Sequence, residues 1–123
     1  MIDTASKGLD QTRPHIVGIG GTGRNGSSSE RLVRAVLAQT EHLGARITMF
    51  GGVQLTALPH FAPESTTRTP EQVAFVDAVR SADGLVIGTP GYHGGVSGLV
   101  KNAIDLLEDT SRDERVYFDG IAV

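Results

Sequence analysis

Two glycine-rich segments, each set between a short apolar run and a longer amphipathic pattern, constrain the fold of this 123-residue chain more than any other feature. The first follows the apolar run 15–19 and extends to Ser29, and the second, from Thr89 to Gly98, follows the run 85–88. Short β-branched runs that end at glycine are typical of strands buried on both faces of a parallel sheet. The sequence therefore predicts strands and helices in alternation, joined by close backbone turns.

The remaining patterns complete this alternation. We predict strands at 15–19, 45–50 and 85–88, with residues 120–123 opening a fourth, and helices from 27 to 43, from 69 to 82 and from 99 to 107. Residues 51–67 are expected to form an irregular loop. Thr69, Pro70 and Gln72 have the spacing of a helix cap and capping box. In the first helix, the positions that recur at helical spacing are Leu32, Val33, Val36, Leu37, Thr40 and Leu43. In the second, the predicted buried stripe is Val73, Val76, Val79 and Ala82.

Such alternation predicts an α/β fold, a parallel sheet with helices on both faces joined by right-handed crossovers. In sheets of this kind, ligands bind beyond the carboxyl ends of the strands, where the strand order reverses. Both glycine-rich segments leave strands at that edge. The sequence therefore predicts one binding site shared by the two segments.

The first segment carries the groups that an anion site needs. Its glycines leave backbone amides uncovered, and the helix that follows contributes free N–H groups with partial positive charge. Thr22, Ser27 and Ser29 add hydroxyl donors, and Arg24 adds a full positive charge. This set suits a terminal phosphate. The alternative is that the serines only cap the helix and the glycines only form a tight turn.

Residues 18–23 also match the dinucleotide fingerprint GxGxxG. That fingerprint requires an acidic residue at the end of the second strand, to bind ribose hydroxyls. The second strand here ends Met49-Phe50-Gly51-Gly52, without an acid. We interpret the match as incidental, and a dinucleotide-binding dehydrogenase stays the weaker alternative.

Composition excludes several other classes of function. The net charge of −3 and the pI near 5.7 give no basic field for nucleic acid or an anionic membrane. The sequence has no cysteine, no GxSxG serine elbow, no metal-ligand spacing around His15, His42 or His60, and no apolar run near the roughly 18 residues of a membrane span. We expect a soluble cytoplasmic protein without metal, with residues 1–14 a disordered tail and 15–123 one domain.

Two longer motifs point to a family. Residues 21–32 follow the pattern G-(S/T)-x-R-x-x-S-x-(S/T/N)-x-x-L, and residues 90–105 follow P-x-Y-(N/H)-G-x-x-x-G-x-L-K-N-x-(I/L)-D with Val100 in place of the leucine. With both motifs in this order, the chain resembles the NADPH-dependent FMN reductase family of flavodoxin-like proteins from about His15 to Val123. The resemblance implies a flavodoxin-like, doubly wound parallel sheet in three layers.

The resemblance also implies a cofactor and a reaction. It places the FMN phosphate against Thr22, Arg24, Gly26, Ser27, Ser28 and Ser29, and the isoalloxazine ring and ribityl chain against Pro90, Gly91, Tyr92, His93 and Gly94. Members of the family pass a hydride from NADPH or NADH to the flavin, and then reduce a small-molecule electron acceptor such as a quinone, a flavin, an azo compound or a metal ion. Because the flavin performs the chemistry, no catalytic side chain is expected. A homodimer is implied as well.

Family members are longer than this chain, with a fifth strand and a further glycine-rich loop that contacts the flavin ring. We therefore expect an incomplete sheet of about four strands, the fifth being missing. Three interpretations stay open: a fragment, a variant completed by another chain, or a descendant that no longer binds flavin. The alternative function is accordingly a non-catalytic flavin- or phosphate-binding domain.

Overall fold

A computed structural model describes residues 12–123, so most of the predicted N-terminal tail lies outside the described residues. The elements in chain order are β1 (His15–Gly20), α1 (Ser28–His42), β2 (Arg46–Phe50), α2 (Gly52–Thr56), α3 (Pro70–Arg80), β3 (Gly84–Gly88), α4 (Gly98–Leu106) and a 3-10 turn (Leu107–Thr110). Every helix in this part of the chain is too short or too polar to cross a membrane.

The described strands form one parallel sheet in the order β2-β1-β3. Ile16 of β1 pairs with Ile47 on one side and with Gly84 on the other, and Gly20 pairs with Gly88 at the carboxyl end. Since β2 and β3 lie on opposite sides of β1, the strand order reverses between β1 and β3. The predicted α/β class and parallel sheet are confirmed.

The expected fourth strand is reduced to a single bridge within residues 12–123. Ala122 pairs in parallel with Gly84, and its carbonyl accepts a hydrogen bond from the Leu85 amide at 2.7 Å. The chain is still turning just before this point, because Gly120 has a φ of +72° and the Ile121 amide bonds to the Phe118 carbonyl. Residues 120–121 therefore add no pairs to β3, and the prediction of about four strands is corrected to three strands and one bridge.

Helices cover both faces of the sheet. Val17 and Ile19 of β1 are fully buried in the larger core, with Phe75 of α3 and Val100 of α4. The opposite face of β1 presents Gly18, whose missing side chain leaves room for Val33 and Leu37 of α1. A Cβ at Gly18 would lie 2.6 Å from Leu37 Cδ1, so α1 packs almost directly on the strand backbone.

Because α1 rests on glycine, only a narrow apolar stripe of the helix is buried. Val33 and Leu37 are buried, whereas Leu32 is 65% exposed and Leu43 is 84% exposed, with Val36 also exposed. The helix predicted from the spacing of these positions is present, but only part of its apolar set faces the core. Among these apolar positions, only Val33 and Leu37, which lie directly over the strand, are buried.

The predicted start of α3 is confirmed. Thr69 Oγ1 accepts a hydrogen bond from the Gln72 amide at 3.2 Å, and Gln72 Oε1 accepts one from the Thr69 amide at 2.8 Å. Val76 and Val79 are buried as expected, but Val73 is 46% exposed. Phe75 is fully buried in the core, where its ring meets Phe50 edge to face with centroids 5.0 Å apart.

The segment 51–67 is not wholly irregular, because α2 occupies its beginning. The Gly51 amide donates to Gln54 Oε1 at 2.9 Å, which fixes the first turn of this short helix. The rest of the segment is held by Asn102 of α4, whose Oδ1 accepts from the Phe61 amide at 2.7 Å and whose Nδ2 donates to the Pro59 carbonyl at 3.0 Å.

The fold also includes the end of the predicted tail. The Arg46 amide donates to the Pro14 carbonyl at 2.8 Å, and Arg13 Nε donates to the Gly44 carbonyl at the same distance. These hydrogen bonds join residues 13–14 to the segment that leads into β2.

A substitution at Gly88 tests the close packing of α1. An added Cβ would lie 2.5 Å from Val33 Cγ2 and 3.1 Å from the Ser29 carbonyl oxygen. We expect Gly88→Ala to lower the free energy of unfolding by about 1–3 kcal/mol, because neither a buried valine nor helix backbone can yield freely.

The matched control is Gly98→Ala at the start of α4, where an added Cβ meets no atom within 4 Å. Chemical denaturation of both variants is the measurement, and Gly98→Ala should be neutral or slightly stabilising. Equal stability of the two variants would contradict the packing described.

Candidate functional site

Two loops leave the same edge of the sheet from adjacent strands. The first loop, residues 21–27, follows β1, and the second loop, residues 89–97, follows β3. Their starting points are paired in register at Gly20 and Gly88. The structure thus brings together the two segments that the sequence predicted to share a site.

The first turn of α1 lies against both strand ends. An added Cβ at Gly20 would lie 2.8 Å from Val33 Cγ2, and one at Gly88 would lie 3.1 Å from the Ser29 carbonyl oxygen. Glycine at both positions therefore allows the amino end of the helix to sit beside the origin of the second loop. The partial positive charge of this helix end is directed toward the same edge.

The first loop is organised by its own hydroxyl groups. Thr22 Oγ1 accepts a hydrogen bond from the Arg24 amide at 3.1 Å, which closes a small turn. The buried Ser27 caps α1, with its Oγ accepting from the Glu30 amide at 3.3 Å and lying 3.4 Å from Ser29 Oγ. The capping role that the sequence left as an alternative is therefore real for Ser27.

Several donors of the first loop face outward. Arg24, Gly26 and Ser28 are exposed, and Ser29 is half-buried. The amides of Ser28 and Ser29 stand in the first turn of α1, where the helix offers no acceptor. These amides and the guanidinium of Arg24 form a set of donors suited to an anion.

The second loop is a tight hairpin with an aromatic side chain at its base. Tyr92 and Gly95 exchange two backbone hydrogen bonds at 2.8 and 2.9 Å, and the residues between them, His93 and Gly94, have φ of +51° and +80°. This is the geometry of a type I′ turn. Tyr92 is 51% exposed, His93 and Gly91 are exposed, and Pro90 is half-buried, so the loop offers an accessible flat surface.

Thr89 fixes the base of the second loop. Its Oγ1 accepts a hydrogen bond from the Ser97 amide at 2.9 Å, across the whole loop. Ser97 in turn caps α4 by accepting from the Val100 amide at 3.3 Å. Neither residue was predicted as part of the site, although a serine just before an apolar helical pattern is a signal for a cap.

Glu30 is the residue at this edge that sequence analysis missed. It is only 4% exposed, its Oε1 accepts from the Gly52 amide at 2.7 Å, and its Oε2 pairs with Arg34 at 3.1 Å. The hydrogen bond from Gly52 lowers the pKa of the Glu30 carboxyl; Arg34 adds to this effect, and burial opposes it. Ser27 and Glu30 have capping-box spacing, but the carboxylate reaches α2 instead of the cap amide.

His15 lies at the other end of β1, away from both loops. It is buried, with Nε2 2.7 Å from Thr48 Oγ1 and Nδ1 3.0 Å from Ser81 Oγ. These contacts join β1 to β2 and to the end of α3. His15 therefore has a structural role in the sheet, remote from the site.

Comparison with known proteins identifies relatives of this fold. The family described as NADPH-dependent FMN reductase matches residues 14–121. Over 31 residues the chain is 58% identical to an FMN-dependent NADPH-azoreductase of Staphylococcus haemolyticus (strain JCSC1435), a stretch that covers 25% of this chain and 16% of the azoreductase.

Solved structures agree with this match. The apo form of the NADH:FMN oxidoreductase EMOB aligns with a TM-score of 0.59 at 25% identity, covering 76% of this chain and 49% of that one. An azoreductase from Bacillus anthracis str. Sterne aligns with a TM-score of 0.54 at 16% identity, covering 76% and 54%, and supports the fold alone. The chain spans about half the length of these two structures.

The buried Glu30 carboxylate predicts a pH-dependent stability. Since its pKa is lowered in the folded state from the ordinary 4.5, its contribution is fully present above about pH 4.5 and is lost as the pH falls through the folded pKa. At pH 7 we expect Glu30→Gln to lower the free energy of unfolding by about 1–2 kcal/mol. Below pH 4 the difference from the wild type should shrink.

Urea denaturation at several pH values measures this difference. Glu41→Gln, which removes an exposed carboxylate from the same helix, is the matched control for charge. A Glu30→Gln deficit that is the same at pH 7 and at pH 3.5 would contradict the assignment.

Proposed function

The chain belongs to the NADPH-dependent FMN reductase family, and from that premise we propose that it binds FMN at the edge formed by the two loops. The observation that carries the proposal is the pairing of Gly20 with Gly88, which starts both loops side by side. One mononucleotide could then contact the first loop with its phosphate and the second loop with its ring.

The donors at the first loop fit a phosphate. A dianion attracts amides at a helix start and a guanidinium, and the amides of Ser28 and Ser29 and the side chain of Arg24 supply these groups. Ser29 Oγ can donate as well. Thr22 and Ser27 shape the loop by accepting hydrogen bonds from loop or helix backbone, and each hydroxyl keeps a proton that it could donate to the phosphate.

The second loop fits a flat ring. An added Cβ at Gly91 or Gly94 meets no atom within 4 Å, so the backbone there is open to a ligand. Tyr92 offers an exposed aromatic face beside this open backbone. We propose that Pro90, Gly91, Tyr92, His93 and Gly94 line the isoalloxazine and ribityl parts of FMN.

Bound FMN would supply the hydride acceptor for NADPH or NADH and the reductant for a small-molecule acceptor. The residues of this chain would bind and orient the flavin, and no side chain is given a role in proton transfer. The activities named for the relatives, an NADPH-azoreductase and an NADH:FMN oxidoreductase, support azo compounds or free flavin as the class of acceptor. A homodimer and a cytoplasmic location stay predictions.

Arg24 provides the sharpest test of the phosphate site. We expect Arg24→Ala to weaken FMN binding about tenfold and to leave riboflavin binding unchanged, because riboflavin lacks the phosphate. Quenching of flavin fluorescence measures both affinities. Arg31→Ala, which removes an exposed charge from α1, is the control. Equal affinity of the wild type for FMN and riboflavin would contradict the proposal.

Turnover distinguishes the enzyme from the alternative, a non-catalytic flavin-binding domain. We expect the FMN-loaded protein to oxidise NADPH in the presence of an azo dye or a quinone faster than free FMN does at the same concentration. Absorbance at 340 nm follows the reaction. A protein that binds FMN but gives only the rate of free FMN would favour the binding domain.

A further inference from the structure

The first loop packs against the start of α2 as well as against the sheet. A Cβ added at Gly52 would overlap the Thr22 carbonyl oxygen and would lie 3.4 Å from the Arg24 carbonyl oxygen. A Cβ added at Gly21 would lie 2.9 Å from the Gly52 nitrogen. Gly52 therefore serves as the support on which the backbone of residues 21–24 rests.

The Glu30 carboxylate fixes the position of Gly52 by a hydrogen bond. Its Oε1 accepts the Gly52 amide at 2.7 Å and would also lie 3.4 Å from a Cβ at Gly21 or at Gly52. Because Glu30 belongs to the first turns of α1, its carboxylate links the helix that offers the phosphate-binding amides to the support under the loop. The link joins two elements that are 22 residues apart in sequence.

We propose that Glu30 is a positioning residue. By holding Gly52, it fixes the backbone of residues 22–24 in the position from which this loop contacts the FMN phosphate. This inference rests on the FMN site proposed above. Glu30 itself does not touch the ligand in this proposal, since its carboxylate is buried and occupied by Gly52 and Arg34.

The negative charge of the Glu30 carboxylate need not repel a phosphate. A carboxylate close to an anion site weakens binding unless its charge is balanced locally. Arg34 pairs with Glu30 at 3.1 Å on the far oxygen, and the Gly52 amide donates to the near one. The Glu30–Arg34 pair therefore has almost no net charge toward the ligand. Glu30 affects ligand binding through the position of the loop backbone.

The test compares FMN with riboflavin, which carry the same ring but differ in the phosphate. We expect Glu30→Ala to weaken FMN binding about tenfold, while riboflavin binding changes less than about twofold, because only the phosphate end of the site depends on the loop. Glu30→Gln keeps an oxygen that can accept the Gly52 amide and should recover part of the lost affinity. Glu41→Ala on the same helix is the control.

A second readout follows the loop without any ligand. Amide hydrogen exchange of the segments 21–27 and 51–53 should be faster in Glu30→Ala than in the wild type and unchanged in Glu41→Ala. The increase in these two segments should exceed that in the rest of the sheet, where exchange follows the loss of global stability. Should Glu30→Ala fail to fold, Glu30→Gln decides the question by the same two readouts, with a smaller loss of about threefold for FMN alone.

The possible failures are distinguishable. Equal weakening for FMN and riboflavin would show a general structural role and overturn this inference, as would unchanged FMN affinity in a folded Glu30→Ala protein. A wild type that binds riboflavin as well as FMN, or neither, would overturn the phosphate site itself and this inference with it.

Discussion

The close approach of a helix end to two strand ends determines the rest of this structure. Gly20 and Gly88 have no side chains, so Val33 and the Ser29 backbone of α1 can lie directly against them. This contact places the free amides of α1 at the point where β1 and β3 diverge, and it aligns the two loops along one edge. Any larger residue at either glycine would push the helix, and with it the donors, away from that edge.

Local signals in the sequence were sufficient for most of the fold. Strands and the main helices follow from β-branched runs, helical spacing and the cap formed by Thr69 and Gln72, all of which act between near neighbours. The burial of individual helix side chains was harder to predict, because it depends on the residues of the strand that each side chain faces. Leu32 and Leu43 have helical spacing with Val33 and Leu37, but the glycine floor of β1 admits only the latter pair.

The location of the site could be predicted from the sequence, but the residues that hold its loops in position could not. Topology alone brings the loops after β1 and β3 to one edge, and both motifs of the family begin in those loops. Glu30 was missed because its partner, Gly52, is remote in sequence and belongs to a short helix that glycine and proline signals had marked as a loop. Thr89 was missed because its partner, the Ser97 amide, lies across the second loop, whereas the position of Ser97 before an apolar helical pattern was a usable signal.

The central claim is that one FMN molecule contacts both loops at once. Amide chemical shifts of the isotope-labelled protein during an FMN titration test it most directly. The chemical shifts of the Ser28 and Ser29 amides and of residues 92–95 should change together, with one common affinity. The shifts of residues around His15, at the opposite edge, should not change. Shifts confined to one loop, or two loops moving with different affinities, would contradict a shared mononucleotide site.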